Sequence, residues 1–112
     1  MFSVTAGCGG PTGPTPTAAE AADGKLSVVL RNYAFEPERL RFEAGETVEF
    51  GIVSVDELHT FTVRELEINW AFPKKEAPEF RSFTFEKRGT YKLICVIPGH
   101  TGSGMAGEIV VE

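Results

Sequence analysis

Lys25-Leu26-Ser27-Val28-Val29-Leu30-Arg31 decides the fold class. Leu26, Val28 and Leu30 fall on one side of an extended chain, with Ser27 and Arg31 on the other, the period-two pattern of a half-buried strand. The pattern recurs. Phe35, then Leu40 and Phe42, follow around an interruption at Pro37, and Val48, Phe50 and Ile52 share a face after the turn Ala44-Gly45-Glu46. His59-Thr60-Phe61-Thr62-Val63 and Phe83-Thr84-Phe85 alternate too. Lys87-Arg88-Gly89-Thr90 turns the chain into Tyr91, Leu93 and Cys95, and Gly107-Glu108-Ile109-Val110-Val111 closes it. No segment carries a long apolar stripe at helical spacing. About seven to eight short strands at intervals of roughly 8–12 residues predict an all-β fold, a Greek-key β-sandwich with antiparallel pairing. Residues 64–81, where Trp70, Phe72, Pro73, Pro78 and Phe80 follow no clear period, read as an irregular excursion. It is expected to hold one helical turn and to pack its apolar residues back over the sandwich edge.

The composition bounds what such a sandwich can do. With 112 residues, 42% of them apolar and nine of them Phe, the chain has room for one domain with a substantial core. Its net charge of −5 argues against nucleic acid as a partner, because phosphate binding needs clustered Lys and Arg. No apolar run is long enough to span a bilayer.

Residues 1–24 differ in kind from residues 25–112. Gly9-Gly10-Pro11-Thr12-Gly13-Pro14-Thr15-Pro16-Thr17 runs into Ala18-Ala19-Glu20-Ala21-Ala22-Asp23-Gly24, with no aliphatic or aromatic residue larger than Ala after Val4. Such a segment buries too little to offset its ordering entropy and is expected to be a disordered linker before the domain of residues 25–112. All 11 basic residues lie in that domain, against 14 acidic ones. Ala6-Gly7 directly before Cys8 resembles the end of a bacterial lipoprotein signal, in which the Cys is lipidated. That resemblance implies a tether at Cys8 as the one contact with a membrane, and a periplasmic or other extracytoplasmic location. The alternative is an unmodified Cys in the tail.

The chemistry is concentrated in Cys95-Val96-Ile97-Pro98-Gly99-His100-Thr101-Gly102-Ser103-Gly104-Met105. A thiol, an imidazole and a thioether fall in one loop, and the turn formers Pro98, Gly99, Gly102 and Gly104 let it curl so that the three converge. The other His of the chain, His59, opens a strand 36 positions before Cys95. Two imidazoles and one thiolate with a weak axial Met are the donor set of a type 1 copper centre. Soft sulfur suits Cu(I) and imidazole suits Cu(II), so a geometry between the two preferences needs little rearrangement when one electron moves.

Residues 25–112 resemble the cupredoxins, the family of plastocyanin, azurin, amicyanin and rusticyanin. Met105-Ala106-Gly107-Glu108-Ile109-Val110-Val111 is similar to the family's closing strand, and the Cys-x4-His-x4-Met spacing is closest to rusticyanin. The resemblance implies His59 and His100 as imidazole ligands, Cys95 as thiolate, Met105 as axial ligand, and one copper per chain. It also implies that Thr60, next to a ligand, bridges the two ligand-bearing segments, and that electrons pass through the His100 edge within a patch of Ile97, Pro98, Gly99, Thr101 and Gly102. Pro98 has no N–H to offer the sulfur, which favours the reduced ion. A second resemblance covers residues 32–73. Asn32-Tyr33-Ala34-Phe35-Glu36-Pro37, Ala44-Gly45-Glu46-Thr47-Val48 and Ser54-Val55-Asp56-Glu57-Leu58-His59-Thr60-Phe61-Thr62-Val63 are similar to the copper domain of cytochrome c oxidase subunit II. That domain holds two coppers with two loop Cys. One loop Cys here implies a mononuclear site.

The function expected is single-electron transfer between extracytoplasmic redox proteins, such as a c-type cytochrome or a terminal oxidase, by a monomer that is not an enzyme. Copper carriage to an oxidase is the alternative. Structural zinc and a Cys95–His nucleophile pair are weaker ones, since zinc sites favour more Cys at closer spacing and no oxyanion-hole motif is present.

Overall fold

The computed structural model describes residues 18–112; Cys8 and most of the expected linker lie outside the described residues. Among the described residues nine strands follow in order: β1 Lys25–Arg31, β2 Ala34–Glu36, β3 Arg39–Phe42, β4 Glu46–Ser54, β5 His59–Val63, β6 Ile68–Phe72, β7 Glu79–Phe85, β8 Gly89–Ile94 and β9 Ala106–Val111. They form two sheets, one ordered β3-β9-β8-β5-β6 and the other β2-β1-β4-β7. The alternating apolar faces meet between them. Phe35, Phe42, Phe50, Phe61, Phe72 and Phe85 are all at most 1% exposed and are the largest side chains of the core. Phe42 stacks on Phe85 at 4.6 Å and Phe61 stacks on Trp70 at 5.5 Å, while Phe50 joins the two pairs.

The sandwich departs from the antiparallel expectation at two places. β1 pairs parallel with β4, and β9 pairs parallel with β3. Both follow from the chain crossing between sheets at β2–β3 and returning at β3–β4, so that a later strand re-enters beside an earlier one running the same way.

The stretch 64–81 is more regular than its sequence indicates. The expected helical turn is the 3-10 turn Arg64–Leu66, and β6 then runs antiparallel to β5, pairing His59 with Phe72 and Phe61 with Trp70. Ile68, Trp70 and Phe72 do alternate, but Ala71 and Pro73 dilute the pattern. Phe72 packs as expected, whereas Phe80 is 60% exposed and lies across the outer face of Gly51. Only the segment between Phe72 and Glu79 is irregular.

The ordered domain also begins before Lys25. Ala19 donates its N–H to Arg39 O at 2.8 Å and accepts from Arg41 N–H at 2.9 Å, covering the open edge of β3. Ala19 and Ala21 pack against the core. Side chains as small as Ala suffice here because backbone hydrogen bonds to the edge strand, rather than apolar burial, hold the segment. A chain begun at Lys25 is therefore expected to be about 1–3 kcal/mol less stable than one begun at Ala18, at about 0.5–1.5 kcal/mol for each of the two lost bonds. Coincident denaturant midpoints for the two chains would show that the edge does not depend on Ala19.

Candidate metal centre

The end of β4, the start of β5 and the loop from β8 to β9 meet at one pole of the sandwich. His59 is the first residue of β5, and Cys95 directly follows β8, which is in register with β5 through Thr62 and Ile94. The Cys95–Met105 loop is curled by its own backbone. His100 N–H donates to Ile97 O at 3.0 Å, and His100 O accepts from both Ser103 and Met105 N–H, at 3.1 and 3.0 Å. Gly99 and Gly104 take φ of +87° and +100°, values that a side chain disfavours, so glycine is required at both bends.

These constraints bring the sequence-predicted residues together. The donor atoms of His59, Cys95 and His100 all lie within 4.8 Å of one another. Cys95 Sγ is 3.4 Å from His100 Nδ1 and 3.9 Å from His59 Nδ1, and the two Nδ1 atoms are 3.2 Å apart. Met105 is wholly buried beside the same loop. Two buried imidazole nitrogens facing each other over a thiol sulfur are stable only with a cation or proton between them. A soft, monovalent-to-divalent ion suits that donor set better than any hydrogen bond among its members.

Copper binding is also what the comparisons give. The family model for copper-binding proteins of the plastocyanin/azurin family matches residues 22–112. The chain belongs to that family. The fold of this cupredoxin is shared with auracyanin from the photosynthetic bacterium Roseiflexus castenholzii, at 15% identity and a TM-score of 0.66, over 82% of this chain and 99% of that one. The periplasmic domain of cytochrome oxidase subunit II from Bradyrhizobium japonicum superposes at 11% identity and a TM-score of 0.65, covering 87% and 86%. The metal-binding domain of the Streptococcus pneumoniae Cu(I)-exporting P-type ATPase, solved with Cu(I), does so at 14% and 0.67, covering 88% and 99%. At such identities these likenesses concern the fold. In this cupredoxin His59, Cys95, His100 and Met105 are arranged as a type 1 copper site.

The surroundings of the four residues explain how they are held. Thr60 bridges the two ligand segments: its hydroxyl oxygen accepts from Val96 N–H at 2.9 Å, and its own N–H donates to Cys95 Sγ at 3.4 Å. Pro98 is exposed on the loop. Thr62 and Asn69, cross-strand neighbours on β5 and β6, extend the bridge. Thr62 Oγ1 donates to Asn69 Oδ1 at 2.8 Å and stands 3.0 Å from Thr60 Oγ1. Neither residue carries a signal in one sequence, because their roles exist only once β6 is recognised as a strand.

Two carboxylates escaped the sequence reading as well. Both His residues turn Nδ1 inward and Nε2 outward; His59 Nε2 is 2.7 Å from Asp56 Oδ1, and His100 Nε2 is 3.5 Å from Glu57 Oε2. Partial burial works against the charge on Asp56. Hydrogen bonds from Asn32 N–H and His59 outweigh it and hold the carboxyl below its ordinary range. Of the patch expected around His100, Pro98, Gly99 and Gly102 are exposed, Ile97 is half-buried, and Thr101 opens the 3-10 turn Thr101–Ser103. Tyr33, from the turn between β1 and β2, sets its ring edge-on to His100 at 5.3 Å and is itself 45% exposed.

Thr60→Val keeps the shape of this bridge but strips Val96 N–H of its acceptor. The expected cost is about 1–3 kcal/mol in the unfolding of the metal-free protein, the penalty for an amide left unsatisfied. A variant as stable as the parent in denaturant titration would show that the bridge is dispensable.

Proposed function

We propose that this cupredoxin is a mononuclear type 1 electron-transfer protein that exchanges single electrons with extracytoplasmic redox proteins. The observation that carries the reading is the burial of a complete donor set. His59, Cys95 and Met105 are 0% exposed and His100 6%, and all four come from segments pinned by backbone or Thr60 hydrogen bonds. Copper, when bound, supplies the one-electron couple. The residues supply two imidazoles, one thiolate and one thioether in a frame that resists rearrangement, which keeps the cost of changing oxidation state small. Four protein donors leave no position for a substrate, which favours transfer over catalysis.

The copper-carrier alternative fits this burial less well. A carrier hands its ion to another protein through donors that the acceptor can reach, whereas here the thiol and the thioether are both enclosed.

Electrons leave by the His100 side in this reading. Pro98, Gly99 and Gly102 form an exposed, uncharged rim there, and Tyr33 adds an aromatic edge. Leu58, 45% exposed between Glu57 and the buried His59, extends the apolar surface. A small apolar contact of this kind suits short-lived complexes. Asp56 and Glu57 at its border favour a partner with basic residues around its own redox centre, as a c-type cytochrome or a terminal oxidase would present. Attachment through a lipid on Cys8 would hold the protein at the membrane surface where such partners work.

Cys95→Ser is expected to abolish the intense visible sulfur-to-copper absorption and the small copper hyperfine splitting in EPR, with the sandwich still folded by circular dichroism. Retention of the colour would overturn the assignment of the thiolate. Met105→Leu is expected to raise the reduction potential, because a donor that stabilises Cu(II) is lost. An unchanged or lowered potential would place a different atom in the axial position.

A further inference from the structure

The two imidazoles of the site are not equivalent, and the difference lies outside the ligand set. Asp56 sits in the β4–β5 connection, three residues before His59, and both of its carboxylate oxygens are engaged. Oδ2 accepts from Asn32 N–H at 2.8 Å, in the turn between β1 and β2, and Oδ1 stands 2.7 Å from His59 Nε2. The connection is held again by Ser54, whose hydroxyl donates to Glu57 O at 2.6 Å. The carboxylate is thus fixed from one side by a backbone amide and faces the imidazole from the other. Glu57 stands at 3.5 Å from His100 Nε2, beyond the range of a short charge-assisted bond.

We infer that Asp56 is a positioning residue for His59, fixing its tautomer and ring orientation and making it the stronger imidazole donor of the pair. An ionised carboxylate only accepts, so the proton of a neutral His59 ring resides on Nε2. Nδ1 is then the nitrogen with the free lone pair, and it is the nitrogen that faces Cys95 Sγ and His100 Nδ1. A carboxylate drawing on the Nε2 proton pushes electron density into the ring and strengthens Nδ1 as a donor. Stronger donation favours Cu(II) over Cu(I), so Asp56 lowers the reduction potential. Among the described residues the carboxylate facing His100 Nε2 is Glu57 at 3.5 Å, so His100 remains the weaker donor.

This inference rests on the type 1 reading above, and its test separates the two. The full chain is first loaded with Cu(II); if the parent protein shows no type 1 spectrum, the reading itself falls. With that spectrum in hand, the potentials of Asp56→Asn and Glu57→Gln are compared by voltammetry. Each change removes one negative charge near the site, but only the first turns a short charge-assisted bond to a ligand into a weaker one to a neutral amide oxygen. Asp56→Asn is expected to shift the ratio of Cu(II) to Cu(I) affinities about tenfold toward Cu(I), a rise of about 59 mV. Glu57→Gln should shift it less than about twofold, and Asp56→Glu should recover part of the loss. Equal shifts for the two charge-removing variants would reduce Asp56 to a surface charge and overturn the inference, as would no shift at all. An independent readout needs no copper. Long-range proton–nitrogen correlations in the metal-free protein, taken where the imidazoles are uncharged, should find His59 as the Nε2–H tautomer, and should find it less populated in Asp56→Asn. His59 as the Nδ1–H tautomer in the parent would overturn the inference.

Discussion

The hydrogen bond from Val96 N–H to Thr60 Oγ1, 2.9 Å long, joins two segments that are 36 residues apart in the chain and that together carry every ligand of the site. His59 lies on one side of it, and Cys95, His100 and Met105 lie on the other. β5 and β8 are in register at Thr62 and Ile94, so this bond continues the sheet beyond its last regular pair. The thiol accepts from Thr60 N–H, and the hydroxyl is backed by Thr62 and Asn69. The ligand positions are therefore properties of a sheet rather than of a free loop, and a sheet does not adjust to the preferred geometry of the metal.

That rigidity has its foundation in the core. Phe61 lies between His59 and Val63 on β5, stacks on Trp70 of β6 and meets Phe50 across the sandwich. Rings of this size leave the strand little freedom to slide, and a register shift of one residue would turn His59 away from Cys95. The irregular connection between Phe72 and Glu79 lies after β6 and does not interrupt this frame.

Much of this was legible in the sequence. Seven alternating runs mark eight of the strands, the run from Phe35 to Phe42 dividing at Pro37 into β2 and β3, and the four donor residues stand out by their chemistry and spacing, because period-two burial and soft-metal coordination both leave local marks. β6 was hidden since Ala71 and Pro73 weaken its pattern. The parallel pairings were hidden because alternation is blind to strand direction. Ala19 reads as linker because its contribution is made by backbone atoms, which every residue has. Asp56 shows the limit most plainly. Nothing local distinguishes it from Glu57, and only the folded chain places one 2.7 Å from an imidazole and the other 3.5 Å away.

The parallel pairing of β9 with β3 sets the order in which the site comes into being. Arg39 and Glu108, 69 positions apart, are paired through both backbone register and a side-chain hydrogen bond. Closing so long a loop is entropically slow, and its contacts are rewarded only when both ends are present. Met105 and the return of its loop depend on β9 being seated, so a nascent chain lacking its last residues holds the thiol and both imidazoles without the frame that aims them. The full geometry of the site is consequently a property of the chain with β9 in place, paired on one side with β8 and on the other with β3.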